Sequence, residues 1–339
     1  MKIGINGVGR MGRLALRAGW DVPELDFVAL NEPHASPEVL ATLLEFDSVQ
    51  GRWHRSCEAG EHQVIVDGHA LPITHHDRPE SIPWQEHGVE MVLECSGAFR
   101  RTQLLAGHFE RGVRKVVVSA PVNDGPPNIV VGVNHEEFDL SEEPVLTAAS
   151  CTTNCLAPVV RVLHDTLGIE RGLATTIHDP TNTQSVQDAP HSDPRRARAS
   201  QLSLIPTSTN SATAVTLIIP ELKGRLDSIA VRAPVLNASL TDFTCQVSRD
   251  TTIEEVNSLL KNASTEGPLV DILGFETRPL VSIDYAGDPR SAIVDASCTR
   301  VTDGRLVKVM AWYDNEWGYA NRLVELASMV AQAADQRKN

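Results

Sequence analysis

The stretch Lys2-Ile3-Gly4-Ile5-Asn6-Gly7-Val8-Gly9-Arg10-Met11-Gly12 decides how the first half of the chain folds. A short apolar strand runs into G-x-G-x-x-G, and Arg13-Leu14-Ala15-Leu16-Arg17-Ala18 then reads as a helix. That order is the fingerprint of a dinucleotide site. Gly7 permits the tight turn. Gly9 lets backbone N–H groups approach a pyrophosphate at the helix N-terminus, and Gly12 lets helix and strand pack closely. A second strand over residues 27–30 ends at Asn31-Glu32. Glu32 stands twenty residues past Gly12, where an acid receives ribose hydroxyls. Its charge repels a 2′-phosphate, which favours NAD over NADP. A glycine pattern alone also fits a turn in another α/β fold; the flanking strand, helix and acid together carry the dinucleotide reading.

Apolar strand patterns at 89–95, 115–118, 129–133 and 145–147, with a helical pattern at 102–112, predict a mostly parallel sheet. Ligands of such sheets lie beyond the C-terminal strand ends, so Ser96, Gly97, Ser119 and Ala120 are placed to line the site. Residues 37–44 have helical spacing, and 46–83 read as strands and loops inserted in this domain. His75-His76-Asp77 has the composition of a metal site but no other spaced ligands, so a solvated loop is expected there and no metal is assigned.

The second half is organised around Thr147-Ala148-Ala149-Ser150-Cys151-Thr152-Thr153-Asn154-Cys155-Leu156-Ala157-Pro158. Leu156, Val159, Val160, Val162 and Leu163 have the spacing of a helix that opens near Cys151 and runs to about 167. A thiol at a helix N-terminus feels the positive end of the dipole, which favours thiolate. Composition alone equally allows a buried structural cysteine. A strand at 174–178 ends on His178, and 179–203 has little apolar periodicity. Pro206-Thr207-Ser208-Thr209-Asn210-Ser211 reads as a hydroxyl-rich turn before a helix from Ala212, the make-up of an anion site. Strands at 229–232, 239–247 and 307–313, with a helix at 253–262, predict an α+β domain on a mixed or antiparallel sheet. The expected organisation is a Rossmann dinucleotide-binding domain over 1–150, completed by the terminal helix 317–339, and an α+β catalytic domain over 151–316.

Of the 339 residues, 22% are charged and 42% hydrophobic, and the net charge is -14. That composition is ordinary for a soluble globular protein. The acidic balance, without a basic run, disfavours nucleic acid and anionic membrane surfaces. A small anionic substrate then needs a local cluster of basic and hydroxyl groups. Six cysteines in a chain this long are no disulfide framework. With no export signal or bilayer-length apolar stretch, free thiols and a cytoplasmic setting are expected.

Taken together, Ile5-Asn6-Gly7-Val8-Gly9-Arg10, Ser150-Cys151-Thr152-Thr153-Asn154, Thr176-Ile177-His178, Arg195-Arg196-Ala197-Arg198, Pro206-Thr207-Ser208-Thr209, Leu222-Lys223-Gly224 and Trp312-Tyr313-Asp314-Asn315-Glu316 closely resemble phosphorylating glyceraldehyde-3-phosphate dehydrogenase across nearly the whole chain. The resemblance implies a homotetramer, NAD as cofactor and a covalent thioester mechanism. It makes Cys151 the nucleophile and His178 its partner base. Thr181 and Arg232 resemble the residues that hold the C3 phosphate of the aldehyde. Ser150, Thr152, Arg196 and Thr209 resemble the contacts to the attacking inorganic oxyanion. Asn315 resembles the residue that bonds the nicotinamide carboxamide, and Arg10, Met11 and Ser119 match cofactor-contacting positions.

Several residues depart from that pattern. The ribose acid is usually Asp, and Glu32 is one methylene longer. Asp179-Pro180-Thr181-Asn182-Thr183-Gln184 lacks the usual Tyr before Thr181 and has Thr183 in place of an Asp. Asn210 replaces a Gly beside the attacking anion, and Asp77-Arg78-Pro79 stands where Arg-Asp-Pro is usual. With Asn31-Glu32-Pro33-His34, Glu45-Phe46-Asp47-Ser48-Val49 and Ile177-His178-Asp179, these resemble the branch found with bacterial arsenate-resistance efflux permeases. That branch implies arsenate as the attacking oxyanion and 1-arseno-3-phosphoglycerate as an unstable product for export. Erythrose-4-phosphate dehydrogenase, where water cleaves the thioester, also shows Asn-Glu at the ribose position; Thr181 and the Thr207-Ser208-Thr209 turn favour an anion instead. A catalytically silent NAD-binding or RNA-binding scaffold is the alternative of a different class, opposed by the acidic charge and the intact Cys151 and His178.

Overall fold

The computed structural model describes residues 1–122, 124–181 and 184–337. The chain divides into two compact units. One comprises 1–129, 134–150 and 320–339, the other 130–133 and 151–319.

In the first unit eight strands form one sheet: β1 (Lys2–Asn6), β2 (Asp26–Asn31), β3 (Cys57–Ala59), β4 (Gln63–Val66), β5 (His69–Thr74), β6 (Met91–Glu94), β7 (Lys115–Val118) and β8 (Val145–Thr147). The order is β8-β7-β6-β1-β2-β5-β4-β3. The strands from β8 to β5 pair in parallel, and β5, β4 and β3 close one edge as an antiparallel meander. Strands buried on both faces need apolar runs, and Val116, Val117 and Val118 meet that requirement. Helix α1 (Arg10–Gly19) follows β1 directly, α2 (Pro37–Glu45) is capped by the Ser36 hydroxyl, and α3 (Thr102–Phe109) precedes β7.

The strand ends are tied by a buried polar network. The Glu94 carboxylate, 1% exposed, accepts hydrogen bonds from Asn6 Nδ2 (2.6 Å), His108 Nε2 (3.1 Å), and the Ser96 N–H (2.8 Å) and hydroxyl (2.5 Å). Trp84 Nε1 donates to His108 Nδ1, which leaves the His108 proton on Nε2 for Glu94. Asn31 Nδ2 donates in turn to Asn6 Oδ1 at 2.8 Å. A buried carboxylate is costly without such donors, and this set supplies four.

The expected strand at 129–133 does not form. Asn128 makes a single bridge to Thr147, and Gly132 then takes φ +82 in a turn closed by Val133 N–H to the Val130 carbonyl. Gly132 packs against Leu269 and Ile272, where a Cβ on it would meet the Pro268 carbonyl at 2.7 Å.

In the second unit α4 (Cys151–Leu167) covers one face of a mixed sheet with α6 (Ile253–Thr265). The sheet order is β10 (Ile205–Ser208), β11 (Leu226–Arg232), β9 (Ile169–His178), β12 (Ser239–Val247), β16 (Leu306–Tyr313), β14 (Ala292–Asp295) and β13 (Leu273–Glu276), with β15 (Arg300–Thr302) also on β16. β9 and β11 are parallel; β12 and β16 join antiparallel. Alternation along these strands puts Thr176, His178, Phe243 and Tyr313 on the covered face and Leu173, Ile177 and Leu306 on the open one. The presumed hydroxyl-rich turn is a strand as far as Ser208, because Ile205 and Thr207 alternate inward and pair with β11; only Thr209 and Asn210 turn before α5 (Ser211–Ile218). Helix α7 (Trp317–Gln336) is the last described element and belongs to the first unit from Ala320 onward.

A methyl at Gly12 would sit 2.0 Å from the Gly7 carbonyl oxygen. Gly12→Ala is therefore expected to destabilise the first unit by about 1–3 kcal/mol and to weaken NAD binding. Urea unfolding and NAD titration of the variant measure both, and an unchanged midpoint would contradict the close packing.

Candidate active site

In the first unit the glycines divide their work as the motif requires. Gly7 adopts φ +88 with Ser96 backbone 2.5 Å from where a Cβ would be, so only glycine fits. Gly9 caps α1, and a Cβ there would meet nothing within 4 Å. That open ground at a helix N-terminus suits a diphosphate. Glu32 at the end of β2 accepts from the Val8 N–H at 2.9 Å and the His34 N–H at 3.1 Å, which fixes its carboxylate beside the glycine turn. Arg10 is ion-paired with Asp47, and Met11 is half-buried next to it. Ser96 and Gly97 are exposed past β6, and Ser119 is half-buried past β7. Both Asn6 side-chain groups are used within the fold, so Asn6 serves the site by anchoring the strand that carries Gly7. Arg78 is largely exposed beside Glu80, and His75 Nδ1 contacts the Glu32 carbonyl at 2.7 Å. These residues fit NAD: a diphosphate cradle and a carboxylate for ribose hydroxyls that disfavours a 2′-phosphate.

In the second unit the strand register assembles the chemistry. His178 pairs directly with Arg232, and Ser239 with Tyr313, so all four lie at one end of the covered face. Cys151 opens α4, and its Sγ lies 3.5 Å from His178 Nε2. Burial would raise the Cys151 pKa, but the hydrogen bond with His178 and that residue's charge outweigh it and lower it. Burial likewise opposes the imidazolium, yet Asp179 and Cys151 carry the His178 pKa up to about 9. Both shifts favour a thiolate–imidazolium pair. The contrast within the chain is sharp: burial pushes Cys57 up to about 11 and Cys95, Cys155 and Cys245 up to about 12.

The Tyr313 hydroxyl bridges Thr152 Oγ1 (2.9 Å) and Thr176 Oγ1 (2.8 Å), which fixes Thr152 beside the sulfur. Arg232 Nη1 lies 2.8 Å from His178 Nδ1 and donates to the Asp179 carbonyl at 2.9 Å. Burial lowers the Arg232 pKa, Cys151, Asp179 and Tyr313 oppose that, and Arg196 adds to it, so the two guanidiniums lie within electrostatic reach. Arg196 Nη2 reaches the Ser208 carbonyl at 3.5 Å and its Nε lies 3.6 Å from Asp193. Thr209 is half-buried and shares a 2.7 Å hydrogen bond with Ser211; Asn210 is exposed, so its added side chain points away from the packed interior. Thr181 is half-buried, and Thr183 and Asn182 lie outside the described residues. Ser150 is half-buried and ends the first unit. Asn315, 6% exposed, accepts from the Ser239 hydroxyl at 2.9 Å, which turns its amide nitrogen free to donate. Sequence reasoning gave no role to Tyr313, Ser239 or Asp179. Strand alternation could have placed the first two on the His178 face.

Comparison with known proteins agrees with this geometry. Residues 1–102 match the NAD binding domain of glyceraldehyde 3-phosphate dehydrogenase, and residues 150–315 match its C-terminal domain. The chain belongs to the glyceraldehyde-3-phosphate dehydrogenase family. That family consists of NAD-dependent oxidoreductases, and residues 1–102, within the first unit, match its NAD-binding Rossmann domain. The chain is 59% identical over 331 residues to glyceraldehyde-3-phosphate dehydrogenase 3 of a Nostoc species, covering 98% of each. It is 47% identical over 338 residues to glyceraldehyde-3-phosphate dehydrogenase of Pseudomonas aeruginosa, covering 99% of each. Glyceraldehyde-3-phosphate dehydrogenase 1 of Bacillus cereus is 46% identical over 327 residues, 96% of this chain and 97% of that one.

At pH 7 iodoacetamide is expected to alkylate Cys151 at least about tenfold faster than Cys57, Cys95, Cys155 or Cys245, since each pKa unit changes the thiolate fraction tenfold. Peptide mapping after brief treatment reads the order; even labelling would contradict an activated Cys151.

Proposed function

We propose that this family member oxidises glyceraldehyde 3-phosphate with NAD through a thioester on Cys151, which inorganic phosphate or arsenate then cleaves. The observation that carries the reading is the half-buried Cys151 thiol 3.5 Å from the buried His178 ring, with Arg232 against that ring. The thiolate adds to the aldehyde, and Nε2 of His178 protonates the alkoxide. Nε2 then takes that proton back as the carbon gives up hydride, which bound NAD accepts. The Thr181 hydroxyl and the Arg232 guanidinium hold the substrate phosphate. Ser150, Thr152, Arg196 and Thr209 hold the attacking oxyanion, and the free Asn315 amide donates to the nicotinamide carboxamide. The catalytic domain extends over 151–316, and the terminal helix completes the NAD-binding one.

Arsenate is proposed as the physiological attacking anion. Its support is the set of departures at Glu32, Asn31, Thr183 and Asn210, and the chemical fact that arsenate is a slightly larger tetrahedral analogue of phosphate. The arseno product then passes to a membrane efflux permease from a cytoplasmic enzyme. Among the described residues no helix is long and apolar enough to cross a membrane. A homotetramer is proposed as well, since the open sheet face of the second unit leaves Leu173, Ile177, Ile229 and Leu306 exposed for a second copy.

Steady-state NADH formation with glyceraldehyde 3-phosphate, with phosphate, arsenate or neither, is the test. Turnover is expected only with an anion, and kcat/KM for arsenate is expected to exceed that for phosphate. Full turnover without either anion, or on erythrose 4-phosphate alone, would place the chain with the water-cleaving dehydrogenases. Equal use of both anions would remove the arsenate assignment. Arg232→Gln is expected to raise KM for the aldehyde about 10–100-fold by losing a charged hydrogen bond to its phosphate. Unchanged KM would relocate that phosphate.

A further inference from the structure

One ring atom of His178 faces three claims. Nδ1 lies 2.6 Å from Asp179 Oδ1 and 2.8 Å from the Asp179 carbonyl, both acceptors, and 2.8 Å from Arg232 Nη1, a donor. A protonated Nδ1 donates to the Asp179 carbonyl alongside Arg232, and the ring's positive charge faces Oδ1. A bare Nδ1 accepts from Arg232, and the carboxylate then faces a lone pair. The Asp179 side chain is 4% exposed, and Oδ1 makes no hydrogen bond of good geometry: it meets the ring off the N–H direction. A buried carboxylate oxygen without another use is costly unless a positive group faces it.

We propose that Asp179 is the positioning carboxylate of His178, keeping a proton on Nδ1 against the pull of Arg232 so that Nε2 alone exchanges protons with the sulfur and the substrate. The inference rests on the thioester reading above and adds a third member to the Cys151–His178 pair.

The consequence follows through each step. As the S–C bond forms, the carbonyl π pair moves to oxygen, which takes the Nε2 proton. The ring is now neutral. With Asp179 present its remaining proton stays on Nδ1 and Nε2 is bare. Without that carboxylate charge, Arg232 Nη1 favours a bare Nδ1 and draws the proton to Nε2, which is then no base. The C–H bond next breaks with its electron pair passing to NAD. The carbon reaches the thioester level, and the hydroxyl proton returns to Nε2. Asp179 faces the imidazolium so formed. Among the described residues, the charged or titratable groups facing His178 are Cys151 from α4, Arg232 from β11, Tyr313 from β16 and Asp179 itself. Asp179 is the one carboxylate among these. Burial opposes the imidazolium, and the Asp179 carboxylate, with Oδ1 2.6 Å from Nδ1, is the leading influence that raises His178 to about 9.

Asp179→Asn keeps the shape and removes the charge. The pH profile of Cys151 alkylation by iodoacetamide has two rises, the second where His178 loses its proton. In the wild-type enzyme that rise is expected near pH 9. In Asp179→Asn it is expected about 1–3 units lower, and kcat is expected to fall about 100-fold with little change in KM. A second rise that stays in place would overturn the proposal. The wild-type enzyme gives an independent readout should the variant not fold. ¹⁵N NMR of the histidine-labelled protein is expected to show both His178 nitrogens protonated at pH 7. After Cys151 is alkylated, a neutral ring protonated on Nδ1 or a persisting imidazolium supports the proposal; a neutral ring protonated on Nε2 overturns it. If no aldehyde is oxidised, the thioester reading fails, while the alkylation profile and the NMR spectrum still judge Asp179.

Discussion

The contact between the Cys151 sulfur and the His178 imidazole is the interaction on which the second unit is built. A thiol buried in protein resists ionisation, as Cys95, Cys155 and Cys245 do under burial. Cys151 escapes because a strand end delivers a cation to it at the point where a helix begins. Neither element suffices alone. The helix start fixes where the sulfur is, and β9 fixes where the ring is. The pairing of β9 with β11 and of β12 with β16 brings Arg232, Ser239 and Tyr313 to the same end. The electrostatics of the pair are therefore a property of sheet register.

A one-residue slip in β9 would send His178 to the open face and turn Leu173 and Ile177 inward. The buried side of that strand, carrying Ala174 and Thr176, opposes such a slip because it packs beneath α4. The first unit shows the same logic with a different currency. Its strand ends are held by hydrogen bonds to the buried Glu94, and the glycine turn hangs from Asn6 between two of them. In both units core packing and buried polar pairing set the position of groups that meet ligand.

Much of this was legible from residue patterns. The glycine fingerprint with Glu32, the helix opening at Cys151 and the strand ending on His178 each have a local signature. The mixed sheet followed from strand spacing. What failed was local pattern set against tertiary context. Residues 129–133 look like a strand, but Gly132 turns them out of the sheet to bury their apolar side chains elsewhere. Residues 205–208 look like a turn because hydroxyls dominate, yet Ile205 and Thr207 alternate inward. Asp179 was visible as a departure without a role, since its significance lies in the approach to His178 Nδ1 and in Arg232 arriving from a strand fifty residues later. Long-range convergence of this kind has no local signal.

The central claim is that Cys151 carries the oxidised carbon before any anion arrives. Acid-quenching the enzyme after mixing with NAD and glyceraldehyde 3-phosphate, with phosphate and arsenate rigorously removed, and mapping the acyl group by mass spectrometry tests it directly. The account predicts a phosphoglyceroyl thioester on the Cys151 peptide in an amount equal to the NADH formed. NADH formed with no adduct on Cys151, or with the acyl group on another residue, would contradict it.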